Sequence, residues 1–249
     1  MRKICSLLSV FALLTAITSN LKAAPLEEVQ VFINRPSTTI DLNKSGKLPV
    51  PTDTEKGFGL SYSIENFPVI PDIRIEYTHL HTTGSKRLEN DLTVLNTTYV
   101  KGTEINTKVD GDNIKITFYY QPLDRFNYDF INLEVGANLL FIDYQIKERF
   151  EYKGNVSEDE DDISTLIPSI HFKLTLSPIY YLDLYVRGAL PISGNKVDKE
   201  VEGGVKYFLS PQLYLFGSYS YILNKADDIN DCDLKTTSRV ISFGAGYMW

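Results

Sequence analysis

The chain has 249 residues, 43% hydrophobic, 23% charged and 12% aromatic, with two cysteines and a formal charge of −7. That length suits one large β or α/β domain or two small ones, and the composition excludes collagen, coiled coil and extended disorder. Two cysteines exclude a disulfide framework or a Cys-rich zinc site, and the acidic balance argues against nucleic acid as a partner. The unusual figure is aromatic: 16 Tyr, 13 Phe and a single Trp, which is the last residue.

Arg2 and Lys3 precede an apolar run from Ile4 to Ile17, and Leu21-Lys22-Ala23 offers a small-residue cleavage site. This pattern predicts a secretory signal peptide over residues 1–23 and a single domain over 24–249. The run is short for a membrane-spanning helix, and no small residue precedes a Cys at its end, so no lipid anchor is expected. Cleavage removes three cations and no acid, taking the net charge to −10 and leaving Cys232 alone.

Beyond that segment no run of 18 apolar residues occurs, helix signals are nearly absent, and alternation with a period of two recurs throughout. Val29, Val31 and Ile33 share one face. Phe58, Leu60, Tyr62 and Ile64 alternate with glycines and serines; Ile73, Ile75 and Tyr77 alternate with Arg74, Glu76 and Thr78. The pattern continues through Ile114–Tyr120, Ile131–Leu139, Ile170–Leu176 and Leu182–Val186, then through Val201–Tyr207, Leu213–Tyr221 and Ile241–Trp249. A soluble sandwich also alternates. Here, however, the strands run about 10 to 15 residues, the length a tilted membrane strand needs. Charges and glycines occupy mid-strand positions on the polar face. Short connections (66–71, 122–128, 177–180, 209–212) also alternate with long ones (35–56, 82–112, 146–162, 191–198, 224–236).

These features predict an antiparallel up-and-down transmembrane β-barrel of ten strands, with eight as the alternative, in the outer membrane of a Gram-negative bacterium. Short turns face the periplasm and long loops face outside. Arg239 sits on the lipid-facing phase ten residues before Trp249, a height of roughly 23 Å at ~3.3 Å per residue and ~45° tilt, near the outer edge of the apolar band.

The polar phase carries Arg74, Glu76, Lys115, Glu134, His171, Lys173, Asp183, Arg187, Glu200, Glu202 and Lys206. Mixed signs in a narrow barrel must pair, which favours a salt-bridged plug over an open channel. His79 and His81, two apart in a strand, share a face near the outer rim, where metal binding, or acid–base chemistry with a loop carboxylate within about 3 Å, is conceivable beside the plain reading of a polar rim strand. The run Glu158, Asp159, Glu160, Asp161 and Asp162 is a candidate cation-binding loop, since hard cations prefer clustered oxygens, although it lacks EF-hand spacing. No phosphate loop, nucleophile elbow, HExxH or CxxC occurs, and no cofactor or structural metal is expected.

The stretch Pro71–Gly84, PDIRIEYTHLHTTG, preceded by SIENFPVI, resembles the second-strand region of a family of small proteobacterial outer-membrane β-barrel proteins with no assigned activity. ITFYYQPLD at 116–124 and the aromatic C-terminus are similar to it as well. The resemblance implies fold and location and brings no catalytic residues. The ending Phe243, Tyr247 and Trp249 also resembles the signal by which the barrel-insertion machinery recognises its clients, with Trp in place of the commoner Phe. The expected partners are therefore outer-membrane lipid, lipopolysaccharide and that machinery. Three functional readings stand: a structural or surface-interaction protein with a plugged lumen and no enzyme activity, a narrow porin-like channel, and a rim enzyme acting on protein or lipid.

Overall fold

The computed structural model describes residues 26–43, 47–51, 57–65, 70–94, 97–123, 130–153, 155–192, 196–229 and 232–249. The predicted signal segment lies outside them. Ten long strands make one antiparallel sheet: β1 Leu26–Asn43, β2 Gly57–Glu65, β3 Asp72–Arg87, β4 Glu104–Tyr120 and β5 Ile131–Tyr152, then β6 Asn155–Ile179, β7 Leu182–Pro191, β8 Lys196–Phe208, β9 Leu213–Ile229 and β10 Cys232–Met248. Each pairs with the next, and β10 pairs with β1, so the sheet closes and the count is ten rather than eight. Around the lower wall closure gives each strand a neighbour on both sides, whereas among the described residues the top of β3 pairs only with β4 and the top of β6 only with β5. A short strand, Lys47–Pro51, folds back onto the end of β1, and Leu92–Val94 pairs with Thr97–Tyr99 as a separate ribbon.

Hydrogen-bonded partners followed round the wall from Trp249 pass through Glu27, Ile64, Ile73, Phe118, Ala137, Ile170 and Leu190. One residue beyond the Ala189–Glu200 pair, the path continues through Lys199 and Leu223 to Thr237. It regains β10 about twelve residues above its start, the kind of stagger that strand tilt imposes on a closed barrel. Positions at equal height therefore drift by slightly more than one residue per strand. By that rule Lys199, Arg239 and Arg35 stand level with one another, and His79 and Asp112 stand level with them further round.

That height is where the wall changes character. Below it, β4 points Ile114, Ile116 and Phe118 outward and Lys115, Thr117 and Tyr119 inward. Above it the same strand buries Ile105 and Val109 inside and turns Glu104, Lys108 and Asp110 outward. On β5 the crossing falls at Leu139-Leu140-Phe141-Ile142, where Phe141 is exposed outside and Leu140 and Ile142 are buried inside. Along β4 and β5 the side-chain period does not break; only the face that is apolar switches, because lipid surrounds the lower wall and water the upper. Outward Tyr120, Tyr181, Tyr207, Tyr247 and Trp249 ring the periplasmic end, as an interfacial girdle does.

The upper strands correct the expected long loops. The segments 82–112 and 146–162 are largely ladder, carried by β3, β4, β5 and β6 well beyond the apolar band. Tyr152 pairs with Asn155 at the top of this ladder, and Lys153 has φ 49°. This extension holds its own core: Val109, Leu140, Ile142, Tyr144, Ile146, Ile163 and Ile167 pack together, with Leu80 against them. A second cluster joins Leu88, Ile105 and Phe150, and Tyr99 stacks on Phe150 at 4.1 Å. The stretch 35–56 is likewise part strand rather than wholly loop.

Candidate functional site: the lumen and the outer wall

Alternation sends every second side chain of each strand into the barrel, and all eleven predicted lumen residues face inward. Glu134 is the hub of the lower half. Both terminal nitrogens of Arg74 donate to it at 3.0 and 3.1 Å, Lys173 at 2.5 Å, and His171 Nε2 lies 3.2 Å away. Arg74 also stacks on the Tyr119 ring, 4.7 Å from its centre. Nearby, Lys206 donates to Glu28 at 2.7 Å and Tyr214 donates to the same carboxylate. Higher in the lumen Arg187 spans Glu76 at 2.6 Å, Glu202 at 2.9 Å and Glu200 at 3.4 Å, and Lys115 pairs with Glu200. Asp183 stands apart at the periplasmic end, accepting from Ser177.

Several members of this network escaped the sequence reading. Glu28, Glu65, Asp72 and Asp198 are inward carboxylates, and Tyr119, Tyr185 and Tyr214 are inward phenols that donate to Glu65, Glu202 and Glu28. Their signal was present in the phase of each strand. Gly204 and Gly246 lie beneath the Tyr185 and Tyr214 rings, where a Cβ would come within 2.4 and 2.1 Å of ring carbon, so these glycines make room for the tyrosines.

The network divides the lumen. A cavity of about 340 Å³ opens around Glu28, Glu134 and Lys173, a gap of about 40 Å³ remains beside Arg74 and Arg187, and a further cavity of about 130 Å³ lies above. The waist between the two larger spaces is filled by charge pairs.

Outside the barrel, at the height where lipid gives way to water, a chain of polar groups runs across β3 and β4. Tyr77 donates to Asp112 at 2.7 Å, and His79 Nδ1 sits 3.0 Å from the same oxygen. Asp110 lies between the imidazoles, 3.7 Å from His79 Nε2 and 3.2 Å from His81 Nδ1. Partial burial acts to raise the Asp110 carboxyl, but the hydrogen bond and charge of His81, with Lys108 close by, outweigh it and hold the group below its ordinary value. Both histidines thus have carboxylates at hydrogen-bond range, but they face outward rather than into the barrel mouth.

The acidic run 158–162 lies in β6, not in a loop. Glu158, Glu160 and Asp162 point outward opposite Arg149, Lys147 and Gln145, and Glu160 pairs with Lys147 at 3.2 Å. Among the described residues no three His, Cys, Asp or Glu side chains converge on a metal position. Phe243, Tyr247 and Trp249 are exposed on the lipid-facing phase of the closing strand, with the last two rings stacked at 5.8 Å.

An apolar exterior, a polar interior and a closed antiparallel wall define an outer-membrane β-barrel of Gram-negative type. No protein-family model matches the chain, and neither does any curated protein. Among solved structures, it is similar in fold to the outer membrane protease OmpT from Escherichia coli, at 10% identity with a TM-score of 0.52, covering 93% of this chain and 100% of that one. The transport unit of the autotransporter AIDA-I from Escherichia coli aligns at 9% identity over 90% and 91% of the two chains, TM-score 0.46. Ail of Yersinia pestis aligns at 14% identity over 90% and 99%, TM-score 0.33.

Proposed function

We propose that this protein is a non-conducting outer-membrane barrel whose working part is the rigid β-structured extension it presents above the membrane. The observation that carries the reading is the waist: Arg74, Glu134, Lys173, Arg187 and Glu202 fill the lumen with paired charge between two separate cavities. Such pairs hold each other in place, because withdrawing one partner strands the other in a desolvated site. Lipid meets the wall through the apolar band. Arg35, Arg239 and Lys199, level with one another and pointing outward, address the phosphates of lipopolysaccharide at its edge. Phe243, Tyr247 and Trp249 serve the insertion machinery during assembly.

Planar-bilayer recording of the purified protein tests the lumen. Wild type gives no reproducible steps; ion-selective steps would transfer the assignment to a narrow channel. A second reading, a hydrolase of the membrane surface, is favoured by the His79–Asp112 pair at 3.0 Å. Its outward aim at the lipid edge fits a lipid ester better than a peptide. Ester hydrolysis by wild type that vanishes in His79→Ala would support it, and equal rates in both would remove it.

A further inference from the structure

The upper lumen cavity has an arrangement that the plug does not use. Asp198 stands opposite Asn224 on β9, and Asn224 stands opposite Thr236 on β10, so three inward side chains occupy adjacent positions on one rung. Directly opposed side chains in such a ladder begin about 5 Å apart. All three are more than nine-tenths buried and line the same cavity of about 130 Å³. Each has an oxygen with no hydrogen-bond partner: Asp198 Oδ1, Asn224 Oδ1 and Thr236 Oγ1. Asn34 and Asn113 line the same cavity, each with an unpartnered Oδ1. The other Asp198 oxygen is taken by Ser169 at 2.7 Å, which fixes the carboxylate with its free edge toward the space.

Charge points the same way. Among the described residues the cavity is lined by the carboxylates of Glu76, Asp198, Glu200 and Glu202 and by two cationic side chains, Lys115 and Arg187, with His79 at its edge. Those two are committed to Glu200, Glu76 and Glu202. The cations of the lower half are committed as well, Arg74 and Lys173 to Glu134 and Lys206 to Glu28. Buried carboxylate in excess of buried cation is unfavourable unless something positive joins it. Oxygen acceptors alone, drawn from carboxylate, amide and hydroxyl, suit a hard cation rather than a soft one.

We propose that Asp198, Asn224 and Thr236 hold a divalent hard cation, Ca²⁺ or Mg²⁺, in the upper lumen cavity, with water completing its shell. The space is large enough for several waters besides the ion. The ion balances the surplus carboxylates above the waist and ties β8, β9 and β10 together from inside. This site is separate from the outward acids of β6 and does not rest on the lumen being non-conducting.

The test uses the full mature chain, refolded in lipopolysaccharide-free detergent so that lipid phosphate does not compete for divalent ions. Melting is followed after EDTA treatment and again with CaCl₂, MgCl₂ or KCl at matched ionic strength. The expected result is a melting temperature raised by Ca²⁺ or Mg²⁺ above that in KCl, with a shift that saturates. Asp198→Asn, which keeps the shape and the Ser169 contact, should weaken the divalent response at least tenfold in half-saturating concentration, and Asn224→Leu should do the same. Glu160→Gln, on the outer face, should leave it unchanged. Terbium emission sensitised by Tyr144, which lines the cavity, reads occupancy directly and should be lost in Asp198→Asn. Equal stabilisation by KCl, or a divalent response unaltered in both cavity variants, would overturn the proposal and leave the cavity to water and protons.

Discussion

The lower and upper halves of this barrel are built from the same strands with opposite polarity. Around the lower wall the apolar residues face out and the charges face in; above Asp112 and Phe141 the large apolar residues of β4 and β5 face in and most of their charges face out. Neither half has a special sequence. What differs is the medium outside, and each half buries from that medium whatever the medium does not solvate. The lower interior is consequently held by charge pairs, and the upper interior beside β3 to β6 by close-packed Ile, Val, Leu and Tyr, while beside β8 to β10 it stays polar.

That contrast predicts different sensitivities. The largest effect belongs to the lower hub: Glu134→Ala leaves Arg74 and Lys173 buried without their partner, a loss of about 3–5 kcal/mol in urea unfolding. Glu160→Ala, which breaks an exposed pair on the extension, should change stability by no more than ~1 kcal/mol. Next come two substitutions that test the inversion itself. Ile142→Ala, inside the upper core, should cost about 2–4 kcal/mol and speed proteolysis of the outer hairpins while the lower wall stays folded. Ile116→Lys, on the outward phase of the lower wall, should cost ~2–4 kcal/mol in lipid. By contrast Lys108→Ile, on the same phase of the same strand above the boundary, should alter stability by less than ~0.5 kcal/mol. If Ile116→Lys and Lys108→Ile behave alike, the boundary is misplaced.

The smallest effect is in pH. The Asp110 carboxyl is depressed in the folded state, so its contribution is complete above the unfolded value of about 4 and is lost as pH falls through the lower, folded value. Wild type should lose slightly more stability than Asp110→Asn between pH 5 and pH 3, measured by thermal melting. No difference in that window would mean that the His81 contact does not form.

The barrel was legible in the sequence because a period of two survives any change of environment. The extent of the strands was less so. Leu139-Leu140-Phe141-Ile142 is apolar on both faces, and a strand read by one apolar face ends there, although the ladder continues to Tyr152. The same crossing explains why Val109 and Ile146 fall within the predicted loops. The eleven lumen charges followed from phase alone. Their grouping around Glu134 and Arg187 did not, since it depends on which strands meet across the interior. The Asp198–Asn224–Thr236 rung was invisible for a related reason. Amide and hydroxyl oxygens carry no mark in a sequence, and only register makes neighbours of residues 26 and 12 positions apart.

The seam between β1 and β10, closed by paired backbone hydrogen bonds between Glu27 and Trp249, also sets a schedule. The first strand to leave the ribosome must wait for the last before it gains its second neighbour. Until then two bare ladder edges and half a girdle of aromatics are open to other chains, a state prone to misassembly. Contacts between the two ends of a sequence are also the slowest to find by diffusion. Completion of this barrel is therefore a single late event, and its speed depends on how soon Trp249 is captured.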